Sequence, residues 1–175
     1  MPVAWVAASR FDIVPTSRRL TAIALVVVVI DQITKSWAVS ALDNGHVINI
    51  IGSLRLALGF NSGFAFSQGQ GLGPFIGIVA IVAIALLVRA MLRAQSAMAA
   101  YGLSGIVAGA VGNLSDRMFR DSGLLHGRVV DFIDLQWWPV FNVADSAISV
   151  GACLLIIAMV RESRGHSDKE VSIES

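Results

Sequence analysis

The sequence predicts an all-α integral membrane protein: four transmembrane helices with a small extracytoplasmic β element. Three observations carry this. First, 55% of the 175 residues are hydrophobic and only 14% charged, with a mean hydropathy of +0.73. A soluble chain of this length has too little interior to hide so much apolar surface, and carries about 25% charge. Second, four runs approach the roughly 20 apolar residues that a bilayer crossing needs. Third, the basic residues divide unequally between the loops those runs create. The same composition excludes a disordered chain and a disulfide scaffold, and a net charge of +1 argues against a nucleic-acid partner.

The first span is expected at Leu20–Leu42 and the second at Leu72–Leu92. The third covers Gln95–Asn113 with an extension to Arg117, and the fourth Asn142–Val160. Four crossings put Arg10, Arg18, Arg19, Arg89, Arg93, Arg161, Arg164 and Lys169 on one side, against Arg55, Arg117, Arg120 and Arg128 on the other. The positive-inside rule makes the first side cytoplasmic. Residues 1–19 are then a cytoplasmic N-terminal segment, 20–160 the membrane domain, and 161–175 a polar, disordered cytoplasmic tail. Arg18-Arg19, the run Leu20–Ile30 and the small Ala38 and Ser40 have the outline of a secretory signal peptide, but a cleaved leader has no use for Asp31 and Lys35. Val150-Gly151-Ala152-Cys153 has a lipobox form, yet lies near the C-terminus with little downstream to anchor.

The two outer loops, 43–71 and 118–141, carry strand signals. Ser53–Leu58 alternates in part, with Gly59, Gly63 and Gly69 after it, and Arg128–Leu135 is β-branched and aromatic. Trp137 and Trp138 suit a membrane interface. Together they predict a β element on the bilayer surface.

The ionisable groups narrow the chemistry. All three Glu lie after Val160, and His46, His126 and His166 have no ligand spacing, so neither a metal nor another cofactor is expected. What remains near the outer face is Asp116, Asp121, Asp131, Asp134 and Asp145, with Asp31 deeper in span one. Asp31 and Lys35, four apart on one helix face, read foremost as a structural ion pair and otherwise as an interior site pair. Asn142 and Asp145 match a helix N-cap followed by an acid that the helix dipole favours. Asn113 and Asp116 repeat that spacing at the wrong helix end, where a carboxylate opposes the dipole and Arg117 is the candidate compensator. Two carboxylates that share a site cannot both ionise easily, so one activates water while the other keeps a proton. Spacing alone leaves that chemistry one reading among several. Gly102-Leu-Ser104-Gly105 fits an intramembrane serine protease pattern, but no His falls within a span to act as base. Gly105-x-x-x-Gly109 and Gly73-x-x-x-Gly77 read as close helix packing. A small transporter using Asp31 and Lys35 as an ion relay is the non-enzymatic alternative.

Five blocks, in order, bear a resemblance: Asp31-Gln-Ile-Thr-Lys35, Asn61-Ser-Gly63-Phe-Ala65-Phe66, Gly109-Ala-Val-Gly112-Asn113-Leu-Ser-Asp116-Arg117, Val130-Asp131-Phe132 and Phe141-Asn142-Val-Ala144-Asp145-Ser146. With the four-span topology, the sequence resembles bacterial lipoprotein signal peptidase (signal peptidase II). The resemblance implies a membrane aspartyl endopeptidase of the bacterial cytoplasmic (inner) membrane, with both termini cytoplasmic and the site near the outer face. It would cut lipid-modified prolipoproteins just before the diacylglyceryl cysteine. The catalytic aspartates would be Asp131 and Asp145. Asn61, Gly63, Asn113, Arg117 and Asn142 would shape the site or hold substrate, with Asp31 and Lys35 in support. The expected partners are lipidated prolipoproteins and membrane lipid, not nucleic acid, and the expected state is a monomer. The stretch from Arg117 to Asp131, with Arg120, Asp121 and His126, is long for the family, and that from Asp131 to Asp145 is short. The dipole of span four favours Asp145 as the base, leaving Asp131 as the acid.

Overall fold

The apolar runs form four helices: α1 (Ser17–Ala41), α2 (Gly73–Met91), α3 (Ala97–Phe119) and α4 (Val143–Glu174). Each contains a stretch long and apolar enough to cross a membrane. Three strands, β1 (Val47–Ile51), β2 (Leu54–Asn61) and β3 (Val129–Asp134), form an antiparallel sheet in the order β1-β2-β3. This computed structural model describes residues 14–62, 73–120 and 124–174. Gly63 and Asp121, both singled out from the sequence, lie outside them.

The central helix is α3, which packs on α1, α2 and α4; α2 meets no other helix among the described residues. Glycine sets the closeness of α3 to α4. A Cβ on Gly102 would lie 2.7 Å from the Gly151 carbonyl, and one on Gly109 would run into the Ala144 carbonyl oxygen. Gly105 is less crowded, with the Ala147 carbonyl at 3.2 Å from such an atom. Helices in lipid lack a hydrophobic drive to associate, so close backbone approach is what holds them. Gly77 behaves differently from the helix-packing expectation: its bare face takes the Leu125 side chain, from the segment after α3, not another helix. Ser104 is buried, and its hydroxyl donates to the Leu20 carbonyl at 3.0 Å. It ties α3 to α1 and offers no nucleophile. Gly151 packs against α3 and Cys153 lies exposed on α4, so the lipobox pattern falls inside a helix apolar enough to span a membrane.

Helix ends depart from the sequence expectations. α1 starts at Ser17, before its apolar run, and α3 extends past Asn113 to Phe119. The expected disordered tail is a correction: α4 continues as helix to Glu174. Adding a residue to a formed helix costs far less than nucleating one, so α4 extends through residues that would not start a helix themselves.

The two anticipated strand regions are β2 and β3; β1 was not foreseen, because Val47-Ile-Asn-Ile-Ile51 shows no clean alternation. In the register of β2 and β3, Arg55 faces Asp134, Gly59 faces Asp131 and Asn61 faces Val129. Phe132 of β3 joins Ala38 and Leu42 in a core cluster, with Trp37 edge-on at 6.5 Å. The sheet is thereby seated on the end of α1.

The glycine geometry makes a graded prediction. Gly109→Ala should lower stability by about 1–3 kcal/mol, the usual cost of overpacking. Gly105→Ala should cost clearly less. Unfolding of both variants in detergent micelles checks the order; equal stability would refute the spacing role of Gly109.

Candidate active site

Asn142 lies eleven positions after Asp131, and the backbone explains how they meet. The amides of Phe132 and Ile133 both donate to the Phe141 carbonyl, at 3.0 and 2.8 Å, and the Phe141 amide donates back to Ile133. Between them the chain reverses at Gln136, in the left-handed region (φ 67), where its amide donates to the Asp134 carboxylate at 2.7 Å. That turn delivers Asn142 to the start of α4 beside β3.

Asn142 and Asp145 cap α4 reciprocally. The Asp145 amide donates to Asn142 Oδ1 at 2.9 Å, and the Asn142 amide donates to Asp145 Oδ2 at 3.2 Å. This is the cap that the Asn-x-x-Asp spacing predicts. Because a backbone N–H can only donate, Oδ1 of Asn142 must face it, so the side-chain NH2 points away. It donates to Asp131 Oδ1 at 2.6 Å, with Val130 O and Asn113 Oδ1 each 3.2 Å away. One asparagine thus touches both candidate aspartates.

A second asparagine completes the link. Asn113 Nδ2 donates to Asp145 Oδ1 at 2.8 Å, while its Oδ1 accepts from the Lys35 ammonium at 2.8 Å. Lys35 is fully buried. Its other partners are Asp31 Oδ2 and Asp116 Oδ2, both at 2.9 Å, so three acceptors meet its three protons. Asp31 and Asp116 are themselves fully buried. Asp31 Oδ1 accepts the Ala144 amide at 2.9 Å. Asp116 accepts the Val130 amide at 3.1 Å, Gln32 Nε2 at 3.2 Å and Arg120 Nε at 2.5 Å. Charge at the C-terminal end of α3 is therefore balanced at contact by Lys35 and Arg120, and Arg117 adds to this through its electrostatic interaction with Asp116.

Asp131 and Asp145 both line a cavity of about 440 Å³ between α2, α3, α4 and the segment after β3. Asn61, Asn113, Arg117 and Trp138 share its wall with apolar Ile76, Ala80 and Leu114. Asn142 stands behind Asp131, buried, and Asp31 and Lys35 do not line the cavity. Burial pushes the Asp131 carboxyl up, the Asp145 carboxylate adds to this, and the Asn142 hydrogen bond and Lys35 charge offset it in part. Its pKa is raised to about 7. On the same strand, Asp134 is buried too, but the Gln136 amide and Arg55, at 2.7 Å, hold its carboxyl below the ordinary value. Asp134 is a structural acid of the sheet.

Of the residues singled out from sequence, Asp31, Lys35, Asn113, Asp131, Asn142 and Asp145 form one connected polar network, and Asn61 and Arg117 flank it across the cavity. Asp116, Gln32 and Arg120 were not placed in the site. The Asn113-x-x-Asp116 spacing was visible, and the partner Lys35 was visible, but their meeting is a tertiary contact. Among the described residues no group of three His, Cys, Asp or Glu is placed to hold a metal.

Fold and site together define a multi-span membrane protein with paired carboxylates in a cleft at one end of its helical bundle. A family model described as Signal peptidase (SPase) II matches residues 23–161. A lipoprotein signal peptidase of Rhodococcus jostii is 42% identical over 139 residues, covering 79% of this chain and 70% of that protein. One from Mycobacterium tuberculosis is 42% identical over 144 residues, covering 82% and 71%. A bacterial membrane enzyme structure obtained by the in meso method at 2.3 Å resolution superposes with a TM-score of 0.75 at 30% identity, covering 84% of this chain and 90% of that one. The chain belongs to the signal peptidase II family, and is a membrane-embedded peptidase.

The raised Asp131 carboxyl has a consequence for stability. Between about pH 4 and 7 the folded state holds a proton that the unfolded chain has lost, so stability falls as pH rises through that window. Asp131→Asn removes the penalty. The variant should be more stable than the native protein at pH 8, by up to a few kcal/mol, with the difference vanishing toward pH 4. Thermal unfolding in detergent across that range checks the sign.

Proposed function

We propose that this protein is an aspartyl endopeptidase that removes signal peptides from diacylglyceryl-modified prolipoproteins, cutting just before the lipidated cysteine. The observation that carries the reading is the pair Asp131 and Asp145, bridged by Asn142 and open to one cavity. Family membership and the names of the relatives point to the same class of substrate.

In this mechanism Asp145 is the base. Its carboxylate accepts two N–H contacts, from the Asn113 side chain and from the Asn142 backbone amide, and it stands in the first turn of α4, where the helix dipole favours a negative charge. Asp131 is the acid and starts protonated. Asp145 removes a proton from water as that water attacks the scissile carbonyl. Asp131 gives its proton to the carbonyl oxygen, forming a neutral gem-diol. Collapse returns a hydroxyl proton to Asp131, and Asp145 delivers its proton to the leaving amine, so the pair ends as it began. Asn61 and Arg117, on the cavity wall, are placed to hold the peptide backbone of the substrate.

The location follows from the substrate. Acyl chains on the cysteine remain in the bilayer, so the scissile bond lies at the interface, where water is available. We place the site at the outer face of the bacterial inner membrane, with both termini cytoplasmic, as the basic residues require, and the working unit as a monomer. The relay reading is disfavoured, because every proton of Lys35 is committed to an acceptor and the ammonium itself does not line the cavity.

Asp131→Asn and Asp145→Asn should each lose cleavage of a lipidated prolipoprotein by several orders of magnitude, as for other paired catalytic groups, while still inserting and folding. Mass spectrometry of the product measures this; near-native cleavage by either variant sinks the pair. The native rate should fall as pH rises through about 7, as Asp131 loses its proton. A reporter fused after Val160 should read cytoplasmic, and an extracytoplasmic signal would overturn the topology.

A further inference from the structure

The buried ammonium of Lys35 has three acceptors, and each of them reaches one of the two catalytic segments by its other contact. Asn113 turns its NH2 onto Asp145 at 2.8 Å. Asp31 turns Oδ1 onto the amide of Ala144, the residue before Asp145, at 2.9 Å. Asp116 holds the amide of Val130, the residue before Asp131, at 3.1 Å. We propose that Lys35 is a positioning residue of the peptidase: a single buried joint that sets the spacing of Asp131 and Asp145 and dictates which way Asn113 presents its amide. The inference rests on the proposed pairing of these two aspartates and adds to it a residue that never touches substrate.

The chemistry leaves Lys35 little freedom. An ammonium can only donate, so Asn113 must offer it Oδ1, and the NH2 is then forced toward Asp145. Without the ammonium, that amide can rotate and present a lone pair to the Asp145 carboxylate. The space is also shaped for the joint. A Cβ on Gly112 would lie 2.6 Å from Asp31 Oδ2, so the bare glycine lets that carboxylate sit between α3 and Lys35. The charged groups around the joint come from every packed element: Asp31 from α1, Asp116, Arg117 and Arg120 from α3, Asp131 from β3 and Asp145 at the start of α4. A shift of about 1 Å in such a pair costs on the order of 100-fold in rate.

The test is Lys35→Met, assayed with a lipidated prolipoprotein from pH 5 to 9. The expected result is a kcat about 100-fold lower with KM within about threefold, since the substitution removes no side chain from the cavity wall. The alkaline limb of the profile should also move upward by roughly one unit, because a cation that holds the Asp131 carboxyl down is lost. Equal loss at every pH, with the profile unmoved, would overturn the proposal, as a merely structural role predicts that. Lys35→Met leaves Asp31 and Asp116 short of a cation. The double variant Lys35→Met with Asp31→Asn removes one charge of each sign and serves where the single variant does not fold. Failure of both to fold also overturns the proposal, making Lys35 a determinant of folding and not of geometry. Asp131→Asn and Asp145→Asn, run alongside, separate the two readings. Active aspartate variants reject the pair itself, whereas inactive ones with an unmoved Lys35→Met profile reject only the joint.

Discussion

An ammonium placed at membrane depth must be fully surrounded by acceptors, and that constraint organises this structure. Lys35 cannot reach water, and an uncompensated charge there costs several kcal/mol at the least. Its three partners come from two helices, α1 and α3, and through them the start of α4 and strand β3 are fixed in turn. The apolar surfaces of the helices specify that they pack; this polar joint specifies at what height. Gly102, Gly109, Gly112 and Gly151 make the heights compatible, because each supplies room where a side chain would strike a neighbour.

The asymmetry between the two carboxylates comes from ordinary secondary structure. Asp145 is the third residue after a helix cap and so accepts the Asn142 amide, and Asn113 of α3 adds a second donor. Asp131 is in the middle of a buried strand, where its own backbone groups are spent on the sheet, and Asn142 is the side chain that reaches it. The proposed division into one acid and one base rests on like chemistry in unlike surroundings. Asp134, three residues along the same strand, shows the alternative outcome: paired with Arg55 across the sheet, it holds the strand register and stays out of the cleft.

Much of this was legible in the sequence because it rests on local rules. Four apolar runs, the Asn142–Asp145 cap and the Asp31–Lys35 helix pair each depend on residues within one element. One strand region showed through the partial alternation of Ser53–Leu58 and the other through the β-branched and aromatic content of Arg128–Leu135, whereas β1 did not show, since Val47–Ile51 has no clean alternation and pairs only with β2. The hub position of Asp116 was hidden for a different reason. Its partners Gln32 and Lys35 lie more than eighty residues away in sequence, and no spacing rule connects them. Gly77 was misread because small residues at a four-residue interval signal close approach without saying by what; here the visitor is Leu125. The extent of α4 was underestimated because composition marks where a helix leaves the apolar medium, not where it stops.

Ala144 is held at both ends of its backbone: its amide by Asp31 of α1, its carbonyl by the bare face of Gly109 on α3. Helices α1, α3 and α4 therefore cannot slide past one another. When bilayer thickness differs from the length of the apolar stretches, proteins adapt by tilting or by distorting nearby lipid. In this fold the three pinned helices tilt as one piece, and α2, joined to the bundle through α3 and the Leu125 contact, is left to follow the lipid. The gap between the two carboxylates is thereby insulated from membrane composition, and stays the same as a cell remodels its lipids.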